Sequence, residues 1–179
     1  MLLESHHLRY PIGRFEKPQE YTPEQLNEWI GVIAAFPAEL KADVQHLTDN
    51  DLALTYRPDG WNIRQVVHHC ADSHMNAFIR FKLALTEDAP LINAYKEDVW
   101  ANLSDTTDLP LEPSLRIIEG LHQRWAKLLR SISGTQWLAG YIHPEHGKHV
   151  GLQEATGQYA WHCRHHLAHV RIARGLQIS

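Results

Sequence analysis

The chain has 179 residues, 44% of them hydrophobic, which is enough to close one sizeable core and too few for two comfortable domains, so a single domain over residues 1–179 is expected. A formal net charge of −4 without any Lys/Arg cluster leaves no electrostatic footprint for nucleic acid or an anionic membrane surface. The start, Met1-Leu2-Leu3-Glu4, has no basic signal region, and the longest apolar run, around Ile30 to Phe36, is too short to cross a bilayer; a cytoplasmic location is expected.

In chain order, the segment to about Glu20 contains Pro11, Gly13 and Pro18 and lacks helical periodicity, so it reads as an extended arm. Thr22-Pro23-Glu24-Gln25 is a helix start, with Thr22 as cap, Pro23 in the first turn and Gln25 completing a capping box. Leu26, Ile30, Ile33, Leu40, Val44 and Leu47 keep helical spacing, but Pro37 lacks an N–H, which predicts two segments in line. Arg57-Pro58-Asp59-Gly60 is a turn, and Asn62 with Gln65 repeats the capping signature before a second long helix ending near Leu85.

Residues 89–113 carry three prolines and read as a long connection with a helical turn near Glu97–Leu103, of the kind that covers a site. Leu115, Ile118, Leu121, Trp125, Leu128, Leu129 and Ile132 share one face of a third helix over Ser114 to Ile132. The stretch His143 to His149 has turn chemistry and predicts a small hairpin or irregular excursion. A last helix, about Leu152 to Gly175, buries Leu152, Ala155, Tyr159, Cys163, Leu167, Val170 and Ala173. The pattern as a whole is all-α: a four-helix bundle with a long crossover. Cys70 and Cys163 are expected as reduced core thiols rather than a disulfide.

The unusual feature is histidine, present 14 times. The last helix carries two i,i+4 pairs, His162/His166 and His165/His169, and either could chelate a metal. On a helical wheel His166 falls in the apolar arc with Tyr159, Cys163 and Val170, whereas His165 and His169 lie on its flank with Gln158 and Trp161, a better position for an open cleft. One HxxxH on a helix is often only a pair of packed or surface histidines, so a third ligand is needed. The second helix offers His68, His69 and His74, of which His69 shares a polar stripe with Gln65, Asp72, Asn76 and Arg80. Three neutral imidazoles leave a divalent ion its full charge and an open position, where either water or a thiol could be activated.

Three segments, Arg9-Tyr10-Pro11-Ile12-Gly13, Gly60-Trp61 through His68-His69-Cys70 to Asn76, and Tyr159-Ala160-Trp161-His162 through His169, resemble the DinB/YfiT-like superfamily and its YfiT-type members. The resemblance covers nearly the whole chain. It implies a four-helix bundle with a crossover loop and an N-terminal arm, a homodimer, and one divalent metal per chain, zinc first and nickel second. Its pattern of a Trp-initiated helix with a histidine eight residues on and a distant HxxxH falls on Trp61, His69, His165 and His169, so the implied metal ligands are His69, His165 and His169, with His68, His162 and His166 left as packing or cleft residues.

The activity implied is a metal-dependent hydrolase acting on a small molecule, with S-transfer by a low-molecular-weight thiol of the bacillithiol type as the alternative. A non-catalytic metal-binding stress protein is a third reading, in which His74, Asp72 or His143 would close the coordination sphere. No catalytic residue is assigned. Asp72, one turn after His69, is a candidate to orient an imidazole or act as a base, and equally a solvated carboxylate. Asn76 and Arg80 are candidates to meet a substrate carboxylate, and Trp61 and Trp161 either wall the cleft or pack.

Overall fold

Helix α1, Pro23–Val44, starts where Thr22 Oγ1 accepts from the Gln25 amide at 3.2 Å. The computed structural model describes residues 7–145 and 147–176. Contrary to the expected break, α1 runs unbroken through Pro37. The missing proline N–H leaves the Ile33 carbonyl without its i+4 donor. His122 Nδ1 donates to that carbonyl instead, at 2.5 Å, so the group is satisfied from outside the helix. Ile33, Phe36 and Leu40, all buried, hold the segment against the core on both sides of the proline.

The short α2, Asp49–Leu52, and the Arg57–Gly60 turn, where Asp59 takes φ 55°, lead into α3, Ile63–Thr86. Its capping box is reciprocal: the Asn62 amide donates to Gln65 Oε1 at 3.0 Å and the Gln65 amide to Asn62 Oδ1 at 2.9 Å. The crossover that follows contains two single turns, α4 (Glu97–Trp100) and α5 (Ser104–Thr107). Its loops are tied to α3 by side chains that donate to main-chain carbonyls: Gln65 to Ala101 at 2.9 Å, Arg64 to Leu109 at 2.6 Å and Arg80 to Asn93 at 2.9 Å. Much of the polar stripe of α3 therefore faces the crossover rather than open water.

Helix α6, Glu112–Ser131, buries Ile118, His122, Trp125 and Leu129. A short 3₁₀ turn, Gly134–Leu138, precedes the hairpin β1 (Gly140–His143) and β2 (Lys148–Gly151), antiparallel with Gly140 opposite Gly151. The Ile92 amide of the crossover donates to the Ile142 carbonyl at 3.1 Å, so the hairpin braces the crossover. Helix α7, Leu152–Ala173, closes the bundle.

The protein is thus an all-α four-helix bundle of α1, α3, α6 and α7 with one small hairpin, as the sequence predicts. Helix α1 packs on α6 and α7, and α3 packs on the same two, so α1 and α3 stand diagonally across the core. Contact between α1 and α7 is close at Gly157: a Cβ there would sit 2.7 Å from the ring of Trp29. After a helical turn at residues 7–9, the arm runs without regular structure to α1. It lies on α7, where Trp161 Nε1 donates to the Gly13 carbonyl at 3.1 Å. No helix among the described residues is long and apolar enough to cross a membrane.

Candidate metal centre

The histidines of α3 and α7 meet where the crossover and the arm cover the bundle. Two groups of three have ligand atoms within 4.8 Å of one another: His69, His162 and His166, and separately His165, His166 and His169. The set expected from sequence, His69 with His165 and His169, is not one of these groups among the described residues. His69 is instead brought together with the other i,i+4 pair of α7. No fourth His, Cys, Asp or Glu joins either group among the described residues.

Ring partners explain the difference. His69 Nε2 and His162 Nε2 face each other at 3.3 Å. A tetrahedral zinc ion with ring nitrogens at about 2.1 Å spaces its ligand atoms about 3.4 Å apart, so this pair already has the spacing of two coordination vertices. The His166 ring stands 4.9 Å from that of His69 and 4.3 Å from that of His162 by centroids, edge-on to both. Both nitrogens of His169, by contrast, are engaged elsewhere: Nε2 donates to the Arg9 carbonyl at 3.3 Å and Nδ1 faces His166 Nδ1 at 3.4 Å. Its ring is stacked on Tyr56 at 3.7 Å. His165 lies flat on Trp161, centroids 4.4 Å apart, with Nδ1 buried and without a hydrogen-bond partner among the described residues.

The remaining buried histidines of α3 and α6 also have partners. His68 Nδ1 is 2.7 Å from Ser114 Oγ, a packing contact between α3 and α6. His74 Nε2 is 3.0 Å from His162 Nδ1, and His74 Nδ1 is 2.8 Å from His122 Nε2. His122 sits on the apolar face of α6 and carried no role in the sequence reading; its only local signal was an imidazole placed between Ile118 and Trp125, at core spacing.

Burial sets the charge of this cluster. It pulls His69 and His165 down to about 4 and His169 to about 3, and His162 and His166 well below the ordinary range, with neighbouring rings adding to the effect on every one but His165. At neutral pH the rings therefore carry lone pairs and no proton that a cation would have to displace.

The group of His69, His162 and His166 borders two cavities. One, of about 300 Å³, is walled by Trp61, Trp161, Tyr10 and Tyr56, which places both tryptophans of the sequence reading at the cleft. The other, of about 530 Å³, holds Ser73, Arg80, Tyr95, Tyr159 and Glu97, and His162, Glu97 and Asp98 line both. Arg80 is buried and its Nη2 donates to the Asn93 carbonyl; it has no ion pair with a carboxylate among the described residues. Glu97 is pushed up by burial, then by Asp98.

Asp72 lines neither cavity, and burial with Asp105 nearby raises it to about 6. Asn76 turns back to donate to the Asp72 carbonyl at 2.9 Å. The carboxylates shared by both cavities are thus Glu97 and Asp98 from the crossover, invisible to a search along the stripe of α3.

Comparison with known proteins agrees with this architecture. The family model described as the DinB superfamily matches residues 22–170. A Bacillus subtilis protein named "Putative metal-dependent hydrolase YfiT" is 44% identical over 168 residues, 94% of each chain. A relative from Oceanobacillus iheyensis, named "Putative metal-dependent hydrolase", is 49% identical over 162 residues, 90% of this chain and 93% of its own. The solved structure described as "YfiT from Bacillus subtilis is a probable metal-dependent hydrolase with an unusual four-helix bundle topology" superposes with a TM-score of 0.90 at 42% identity, over 96% of this chain and 99% of that one. With likeness of sequence and of fold running through all four bundle helices, the chain belongs to the DinB superfamily, in its YfiT-like branch.

Proposed function

We propose that this protein is a metal-dependent hydrolase of small molecules and that His69, His162 and His166 hold one divalent cation, zinc ahead of nickel. The observation that carries the reading is the pair of facing Nε2 atoms of His69 and His162 at 3.3 Å with His166 edge-on beside them, neutral and bordering a cavity. A set of three imidazoles with no fourth protein ligand supports a catalytic rather than a structural ion. A divalent ion held there supplies Lewis acidity, lowering the pKa of a water or thiol that reaches the open position.

The rest is done by the chain's own residues. Ser73 Oγ, 3.5 Å from His162 Nε2, and the phenols of Tyr95 and Tyr159 line the cavity where a polar substrate would lie. Arg80 gives that cavity a buried positive charge able to pair with an anionic group on the substrate. Glu97, with its carboxyl raised by burial and by Asp98 beside it, serves as a proton acceptor in the cleft. Trp61 and Trp161 keep bulk water from the far side. Since Cys70 and Cys163 are both fully buried, any thiol reacting at the site has to come from the substrate pool. A homodimer of single-domain chains accompanies the reading.

The test is zinc content per folded chain for wild type, His69→Ala, His162→Ala and His165→Ala after reconstitution. Near-stoichiometric zinc, lost in the first two variants and kept in the third, supports the ligand set. Zinc lost with His165→Ala and kept with His162→Ala would return the site to the other helical pair. A panel of esters and amides, run with and without low-molecular-weight thiols, then separates hydrolysis from thiol transfer: product that forms only with a thiol present refutes the hydrolase.

A further inference from the structure

Three buried histidines outside the proposed ligand set, His74, His122 and His169, form two lines that run away from it, and each line ends on a main-chain oxygen. We infer that two hydrogen-bonded histidine chains, anchored on the carbonyls of Ile33 and Arg9, hold the rings of His162 and His166 with Nε2 bare for the metal, which makes His74, His122 and His169 positioning residues of the centre. This inference rests on the ligand set proposed above.

The direction of the first chain follows from its last member. A carbonyl oxygen only accepts, so the proton between Ile33 and His122 belongs to His122 Nδ1, at 2.5 Å. A neutral imidazole carries one N–H, so His122 Nε2 is a lone pair and accepts from His74 Nδ1 at 2.8 Å. His74 Nε2 then accepts from His162 Nδ1 at 3.0 Å, and His162 is left with a bare Nε2, 3.3 Å from that of His69. The line passes from α1 through α6 and α3 to α7, one link per helix of the bundle.

The Ile33 oxygen is available because residue 37 is proline. Any other residue there would offer its own N–H to that carbonyl as the ordinary i→i−4 bond. Pro37 thus clears the acceptor on which the polarity of the line depends.

The second chain is shorter and built alike. His169 Nε2 donates to the Arg9 carbonyl at 3.3 Å, so its Nδ1 accepts from His166 Nδ1 at 3.4 Å and the bare nitrogen of His166 is Nε2. This engagement also argues against a second ion on the group of His165, His166 and His169, since binding there would have to break one of the two bonds of His169. Ile33 is fully buried, so the first line ends inside the core and orients a ring rather than carrying protons to solvent. An imidazole free in water favours the proton on Nε2; His74, His122, His162 and His166 are all held in the other form, which suits ligands that bind through Nε2.

The test begins with wild-type protein stripped of metal, where long-range ¹H–¹⁵N correlation reads the tautomer of each ring. The expected result is Nδ1–H for His74, His122, His162 and His166 and Nε2–H for His169. Nε2–H on His162 or His166 overturns the inference. The second measurement is zinc affinity of His122→Gln and His122→Leu, each checked for folding by thermal unfolding. Glutamine places an amide oxygen where Nε2 stood and keeps an acceptor for His74, so its affinity stays near wild type. Leucine leaves the line unanchored and weakens zinc binding about 10- to 100-fold. A folded leucine variant with wild-type affinity also overturns it. A wild type that takes up no zinc would refute the ligand set, and the tautomers would still judge the chains.

Discussion

Acidifying the metal-free protein removes stability through its buried imidazoles, and His122 allows the size of the effect to be worked out. Its folded pKa falls from 6.5 to about 4, chiefly by burial, while the unfolded ring titrates normally. Between those values the unfolded chain binds a proton that the folded chain does not. The contribution is therefore complete above the unfolded value and is lost as the pH falls toward the folded one. From about pH 7.5 to about pH 5 the loss is about 2 kcal/mol for one such ring.

His69 and His165 are pulled to about the same value, and although rings in contact do not add independently, even two losses of that size are large beside a typical total of about 5–15 kcal/mol. Asp72 and Glu97 act with the opposite sign, because raised carboxyls favour the folded state as they protonate. Asp72 is half-buried and Glu97 exposed, so they offset only part of the loss. Urea unfolding followed by circular dichroism, in chelator across this range, should show a midpoint that falls with pH in wild type, and an unfolding free energy that falls by about 2 kcal/mol less in His122→Gln. A midpoint that is flat between the two ends, or an equal slope in the variant, refutes the reasoning.

Gly157→Ala gains about 1 kcal/mol of helix propensity but drives a methyl to 2.7 Å from Trp29; overpacking of about 1–3 kcal/mol makes the net change a loss, read as a lower Tm. Cys70 and Cys163 are fully buried, with thiols pushed above their ordinary range by burial, so a colorimetric disulfide reagent should label neither until urea unfolds the chain. Arg80→Met should leave zinc content unchanged and raise KM for an anionic substrate at least tenfold, about the 1.4 kcal/mol expected of a lost charged hydrogen bond; an equal effect on neutral and anionic substrates would show a merely structural role.

Most of the fold was legible because its signals are local. The cap at Thr22, the box of Asn62 with Gln65 and the single apolar face of α6 each involve residues within a few turns of one another. The predicted break at Pro37 did not occur because the Ile33 carbonyl takes its donor from His122, 89 residues from Ile33 along the chain. The site was legible as far as the helices that carry it. The choice proposed between two i,i+4 pairs one step out of phase rests on which ring nitrogens are already engaged, by the Arg9 carbonyl from the arm and by His74 from another helix, contacts that lie far apart in the sequence. Glu97 was visible as part of a covering connection, but its place at the cleft follows from the anchoring of the crossover by Gln65 and Arg80.

The arm lies on α7 through two main-chain oxygens, that of Gly13 under Trp161 and that of Arg9 under His169. Binding free energies are reciprocal: whatever the ordered arm adds to the affinity of the histidine cluster for a cation, the cation returns as added hold on the arm. Occupancy of a buried centre would then be readable at the molecular surface, as slower amide exchange or slower proteolytic nicking within residues 7–21. Loss of the arm would in turn be felt first as weaker metal retention, with the four-helix core still folded.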